Sequence, residues 1–390
     1  MSNSICIVTN IPRPYRRALF SAVDDRLQAN GLQLRVIYTS DPSKHVRRGS
    51  GTPAANAGHP EQFVRSMSFR LAYDRVVSIP TGLARALGKL MPAGVVVGGF
   101  GTDAILSARW CRTRRIPLIV WSGAWPGREG AVGRIKSATR RHLVQRADAF
   151  IAYGTAAAGY LATVGAPTDR VFYAWNTVDL EGIAGAARQA AARRPQLTDK
   201  YGLAAKNLLY VGTLVESKGL LELISAALAI GAPSSDWALH LVGAGPLREE
   251  LESKVRTAGK QSHFRFHGLR PESDVAELLG VADGFVLPTK REAWGLVINE
   301  AMACGVPVVA SPQAGATRDL IEDGVTGFVV DPDDKQKLAA TMSRLLTDDP
   351  DCERIGQAGG KAVRERASLD RAAEGFVSAI MCALEGSDGD

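Results

Sequence analysis

The chain has 390 residues, too many for a single core of ordinary size, so two domains are expected. A hydrophobic content of 46% with 22% charged residues is that of a globular protein. Five scattered cysteines, Cys6, Cys111, Cys304, Cys352 and Cys382, lack C-x-x-C spacing and argue against a disulfide framework or a zinc site.

The net charge of +7 is unevenly spread. Residues 1–190 carry 25 Lys and Arg against 11 Asp and Glu, +14, and the rest of the chain carries −7. A basic first half suits an anionic partner (nucleic acid, a phosphate-bearing ligand or an anionic membrane), or it is only a solvated face. No apolar run approaches the roughly 18 residues of a membrane-spanning helix. The start, MSNSICIVTNIP, has no basic n-region. A cytoplasmic protein is expected, with contact to the inner membrane face as a further option.

In chain order, short β-branched runs alternate with helical stretches. Strands are expected at 5–10, 32–39, 75–80, 94–99, 117–123, 149–154 and 170–176, then at 207–213, 238–245, 263–268, 284–289, 307–311 and 327–330. Runs that are apolar throughout suit parallel strands covered on both faces. The class is therefore α/β, with doubly wound parallel sheets. The Ala/Arg-rich stretch 180–204 reads as the connection between two domains, and RAAEGFVSAIMCALE near the end as a final helix before a frayed tail. Residues 40–62 form a long polar loop at the ligand-binding edge of the first sheet.

The first chemistry-bearing stretch is TNIPRPYRRALF, where Arg13, Tyr15, Arg16 and Arg17 follow a strand and face a cleft or form a basic helix turn. WSGAWPGREG, with Ser122 and Trp125, also follows a strand and suits a sugar or lipid platform. In LYVGTLVESKGL, Gly212 and Thr213 lead to Lys218, a lysine at a strand-to-helix turn and thus placed for phosphate, although the Walker spacing is absent. In LHLVGAGPL, Gly243 and Gly245 allow close backbone approach. KREAWGLVINEAMAC sets Glu292 before a helix that starts near Trp294, Gly295 and Leu296, whose free N–H groups suit phosphate. Glu300, four residues beyond Leu296 on the same face, can accept two hydroxyls such as a ribose diol, or be salt-bridged internally. DPDD at 331–334 reads as a turn with a helix cap rather than a metal site. No histidine has metal-ligand spacing, and H-E-x-x-H and G-x-S-x-G are missing.

Taken together and in order, NTVD (176–179), VGTLVESKG, LVGAGPL, FHGLRPESDVAELLGVAD, the E-x7-E stretch from Glu292 to Glu300, GVPVVAS and DGVTGFVV resemble glycosyltransferase family 4, retaining enzymes of the GT-B fold. The resemblance covers about 150 residues and implies two Rossmann-like domains. These are an N-terminal acceptor-binding domain, 1–180, and a C-terminal nucleotide-sugar-binding domain, 181–367. A helix and tail at 368–390 pack back on the first domain. It implies a nucleotide-sugar donor (UDP or GDP), a glycan or lipid-linked acceptor, no nucleic acid, and no metal or other cofactor. Lys218 would meet the diphosphate and Glu292 the donor sugar, as the catalytic pair. Glu300 would hold the ribose, and the backbone at Gly295, Leu296 and Arg270 the phosphate, sugar and base, with Gly212, Gly243, Gly245 and Trp294 nearby. Members commonly carry Arg five residues before the lysine, where Thr213 stands, and a His in the first domain, where WSGAW stands. On the acceptor side the candidates are Arg13, Tyr15, Arg16, Ser122 and Trp125. An epimerase or a non-catalytic nucleotide-sugar-binding protein of the same fold are the alternatives.

Overall fold

The computed structural model describes residues 3–40, 59–72, 75–124, 133–230 and 236–386. The chain divides into two compact units, Met1–Val178 with Ala367–Asp390, and Asp179–Arg366.

The first unit contains β1 (Ser4–Thr9), β2 (Gln33–Tyr38), β3 (Glu61–Phe63), β4 (Met67–Ala72), β5 (Arg75–Ile79), β6 (Gly94–Gly98), β7 (Leu118–Ser122), β8 (Ala149–Ala152) and β9 (Val171–Tyr173). Seven of them form a parallel sheet in the order β3-β2-β1-β6-β7-β8-β9. Its apolar runs feed two cores. Val95 and Val97 enter one, and Val96 between them enters the other. That is why these strands do not alternate with polar residues: both faces are covered.

The helix Leu369–Glu385 returns to this unit, as expected. Its stripe Ala372, Phe376, Ala379 and Ala383 is buried beneath the sheet, with Phe376 edge-on to Trp121 at 4.9 Å. Small residues along that stripe let helix and sheet approach closely.

The second unit contains β10 (Lys206–Val211), β11 (Trp237–Val242), β12 (Phe264–Gly268), β13 (Gly284–Leu287), β14 (Val308–Ala310) and β15 (Phe328–Val329). They form a parallel sheet in the order β12-β11-β10-β13-β14-β15. The chain runs outward from β10 to β12, then returns to β13 beside β10. The crevice between the carboxyl ends of β10 and β13 is therefore the topological switch point, where open α/β sheets bind ligands.

Three expectations need correction. RVVSIP is not a strand of the parallel sheet. It is β5, which pairs antiparallel with β4 in a separate ribbon. Its mixed composition fits a two-stranded ribbon better than a central strand. The polar loop at 40–62 ends in a strand, since Glu61–Phe63 is β3, and residues 41–58 lie outside the described residues. The stretch at 180–204 is not a connection but the helices Leu180–Ala191 and Arg194–Tyr201 of the second unit. Asp179 caps the first by accepting from Gly182 N at 2.9 Å, and its buried Leu180, Ala184, Ala187 and Ala190 pack against the helix Glu272–Gly280. Alanine gives little hydrophobic contrast, so this stripe is faint in the sequence.

Candidate active site

The site is built from loops at the carboxyl ends of the second sheet. After β10, Gly212 and Thr213 turn the chain, and Lys218 ends a short 3-10 turn before Gly219 opens the helix Leu220–Ala229. After β13, residues 288–295 run to the helix Leu296–Ala303. These loops are stitched together. The carbonyl of Ser217 accepts from Lys290 N at 2.9 Å, from Arg291 N at 3.2 Å and from the buried Thr289 hydroxyl at 3.0 Å. The result holds Lys218 and Glu292, 74 residues apart in sequence, as a direct ion pair between Nζ and Oε2 across the switch point. Oε1 of Glu292 accepts from Ala293 N at 2.9 Å, which fixes the carboxylate. The side chains are 16% and 24% exposed, so the pair is reachable from solvent but partly shielded.

Gly295 takes φ +94° and caps the helix that follows. Ile298 N donates to the Gly295 carbonyl at 2.8 Å, which leaves the Leu296 and Val297 N–H groups as the donors at the positive end of the helix dipole. Within that helix Ile298, Asn299, Ala301, Met302 and Ala303 are buried, whereas Leu296, Val297 and Glu300 are half-exposed. Glu300 therefore lies on the open face and not in the core. Burial, and secondly the charge of Glu300 one turn away, push the Cys304 thiol up to about 12. Glu300 stands about 7.5 Å along the helix axis from Gly295.

Other expected residues have different surroundings. The Trp294 ring is buried and donates to the buried Asn299 Oδ1 at 2.9 Å, so only its backbone faces the loop. Gly243 is glycine for an internal reason: at φ +148° a Cβ would stand 1.7 Å from the Gly212 carbonyl oxygen. Gly245 likewise packs on the Leu214 backbone. These glycines bring the β10 and β11 loops together. Arg270 follows β12, two strands from β10, and bonds the His267 carbonyl at 3.2 Å and Asp274 at 3.5 Å. Thr213 is half-buried and its carbonyl accepts from the Tyr210 hydroxyl at 3.0 Å. Tyr210, Ser217, Thr289 and Asn299 were not singled out in the sequence. Thr289 and Ser217 tie together loops far apart in sequence, whereas Tyr210 and Asn299 bond nearby at Thr213 and Trp294, and none of the four belongs to a motif that marks it in the sequence. Asp334 caps the helix Lys335–Leu345, accepting from Lys337 N at 2.9 Å, as DPDD suggested.

The first unit holds the other candidates. Arg16 donates to Thr9 Oγ1 at 2.7 Å and lies over the Trp121 ring at 4.7 Å, beside Tyr15 and Tyr153. Arg13 and Tyr15 flank it at the start of the helix Pro14–Gln28. Ser122 is buried, and its hydroxyl accepts from Ala124 N at 3.1 Å, so it is a turn-former rather than an exposed contact. Trp125 lies outside the described residues.

Residues 199–362 match the family model described as Glycosyl transferases group 1. The match falls within the second unit, Asp179–Arg366, and covers most of it. This unit holds every donor-side candidate, and the family resemblance read from the sequence is borne out. The chain is 32% identical over 185 residues to the alpha-D-kanosaminyltransferase of Streptomyces kanamyceticus, 47% of each chain. It is 29% identical over 338 residues to a GDP-mannose-dependent alpha-mannosyltransferase of Mycolicibacterium smegmatis, covering 84% of this chain and 83% of that one. The chain spans about half or less of the relatives it matches first, at 47%, 39% and 45% of their lengths. Among solved structures, HepE of Anabaena in complex with UDP superposes with a TM-score of 0.78 at 17% identity, over 97% of this chain and 99% of that one. The likeness covers both units and shows the GT-B fold, two Rossmann-like α/β units, one of them holding the group 1 match.

Proposed function

We propose that the protein is a retaining glycosyltransferase that takes a sugar from a nucleoside diphosphate sugar, UDP- or GDP-linked, to a glycan or lipid-linked saccharide. The observation that carries this reading is the Lys218–Glu292 pair at the switch point, in front of the open N-terminus of Leu296–Ala303. A diphosphate leaving group gathers negative charge, and a fixed cation with a helix N-terminus stabilises that charge where it develops. Lys218 meets the diphosphate, and Glu292, held through Ala293 N on one oxygen and paired with Lys218 on the other, turns to the sugar as the diphosphate takes over the lysine. Glu300, on the open helix face, takes the ribose hydroxyls. In the transfer the bond between the anomeric carbon and the phosphate oxygen breaks. The acceptor hydroxyl oxygen bonds to that carbon from the same side, and its proton passes to the departing phosphate oxygen. The chain supplies position and charge, with no acid–base pair.

HepE is a structure with UDP, and the Mycolicibacterium relative is described as GDP-mannose-dependent, so both bases belong in the test. A panel of UDP- and GDP-sugars is screened by thermal shift and hydrolysis, and the best ligand is titrated by calorimetry. Glu300→Ala is expected to weaken that ligand by about tenfold or more, since the ribose hydroxyls lose a charged acceptor, about 1.5–3 kcal/mol. Unchanged affinity in this variant refutes the ribose assignment.

A further inference from the structure

The β4–β5 ribbon of the first unit is built inside out. Its register pairs Met67 with Ile79, Ser68 with Ser78 and Phe69 with Val77. Side chains alternate between faces along a strand, so the serines share one face and the apolar residues the other. The serine face is the inner one. Ser68 and Ser78 hydroxyls are 2.8 Å apart, Ser78 reaches Ser40 at 2.5 Å, and Thr102 donates to the Ser78 carbonyl. The apolar face looks outward, with Met67 54%, Phe69 52% and Ile79 41% exposed. An ordinary half-buried ribbon has the opposite pattern, and apolar surface turned outward in one patch marks an interaction site.

The ribbon's place and charge say which kind of partner fits. Ser40 follows β2 and Thr102 opens the helix after β6, the two strands that flank β1. The ribbon therefore lies at the carboxyl end of the first sheet, the end that also carries Arg13 and Arg16 after β1. From Gln62 to Thr102 the sequence holds Arg65, Arg70, Arg75, Arg85 and Lys89 against one acidic residue, Asp74. Arg65, Arg85 and Lys89 are exposed. A second copy of this chain would bring this charge against itself. A nucleic acid would leave Met67, Phe69 and Ile79 in water. An anionic bilayer interface satisfies both halves, with acyl chains for the apolar face and headgroups for the cations.

We propose that the outer face of the β4–β5 ribbon is a membrane-docking surface, with Met67, Phe69 and Ile79 entering an anionic bilayer interface and Arg65, Arg85 and Lys89 meeting its headgroups. The surface is independent of the donor site, so a lipid-borne acceptor would be met at the sheet end that holds the acceptor-side arginines.

The test is co-flotation of the full chain with phosphatidylcholine vesicles, with and without phosphatidylglycerol, at low and high salt. The protein is expected to float with anionic vesicles at low salt. The double variant M67S/F69S should weaken this about tenfold, while Leu269→Ser, an equally exposed leucine in the second unit, leaves it unchanged. Failure of the unaltered protein to float at low salt overturns the proposal. So does unchanged flotation of M67S/F69S, or sedimentation showing a dimer that this variant splits, which would mean a second copy covers the ribbon. Should M67S/F69S not fold, R65Q/R85Q/K89Q takes its place. It is expected to lose the preference for anionic over neutral vesicles, and a retained preference overturns the proposal. Nucleotide binding in the same variants is a separate readout, so failure here leaves the donor reading standing.

Discussion

If Lys218 is the diphosphate cation, its partner Glu292 competes with the ligand for it. Two neutralising substitutions should then move affinity in opposite directions. A unit charge pair about 4 Å apart at an effective dielectric near 20 is worth roughly 4 kcal/mol. Exposures of 16% and 24% place this pair between surface and core, and desolvation of both groups offsets part of the attraction, leaving a coupling of about 1–2 kcal/mol. Glu292→Gln removes a negative charge beside the diphosphate and frees Lys218, so UDP or GDP should bind about tenfold tighter, about 1.4 kcal/mol. Lys218→Met removes the cation and should weaken the same ligand by about ten- to a hundredfold, about 1.5–3 kcal/mol. Transfer should fall in both variants, because Glu292 loses its hold on the sugar in the one and the leaving group loses its cation in the other. Calorimetry with the free nucleoside diphosphate separates the two effects. If Glu292→Gln weakens binding as Lys218→Met does, Glu292 positions the lysine and the competition argument is wrong. If neither variant alters affinity, the diphosphate does not sit at this pair.

Thr213→Arg should tighten diphosphate binding by about tenfold, roughly one charge-assisted hydrogen bond, with a flat titration curve as the refuting result. Gly243→Ala should cost several kcal/mol, roughly 3 or more, because its Cβ meets the Gly212 carbonyl oxygen at 1.7 Å on a left-handed backbone, and an unchanged urea midpoint would show that the two loops part easily. A pH effect follows from a buried hydrogen-bonded chain. The Asn207 amide nitrogen donates to Ala204 O at 2.9 Å, so its Oδ1 accepts from His240 Nε2 at 3.0 Å, and His240 Nδ1 accepts from His267 Nε2 at 2.9 Å. Burial pushes His240 down to about 3 and His267 to about 4 from 6.5. The unfolded chain then takes protons that the folded one refuses, so stability falls as pH drops below 6.5 and levels off near pH 3 to 4, at up to about 1.4 kcal/mol per pH unit for each histidine. Urea midpoints at about pH 7 and about pH 5 should therefore differ less in His267→Gln than in the unaltered chain, and equal differences would refute the linkage.

Much of this molecule is determined locally. The β-branched apolar runs specify strands because their side chains fill both faces of a covered sheet, and nearly every expected strand is present. The residues after β10 and β13 were legible as a site because glycine, lysine and glutamate at strand ends have few structural uses. What the sequence could not decide depends on who meets whom across the chain. The joining of Lys218 to Glu292 follows from the return of the chain to β13 beside β10, and the three bonds to the Ser217 carbonyl hold it. The need for glycine at 243 comes from a carbonyl 31 residues away, that of Gly212. The helix Leu180–Ala191 looked like a connection because alanine is a weak hydrophobic signal, and only packing against Glu272–Gly280 makes it core. RVVSI was legible as a strand, but its partner Met67–Ala72 and the outward turn of Phe69 were not. Local propensity selects the element, whereas the face it buries and the residues it meets are set by contacts far apart in sequence, which carry no local pattern.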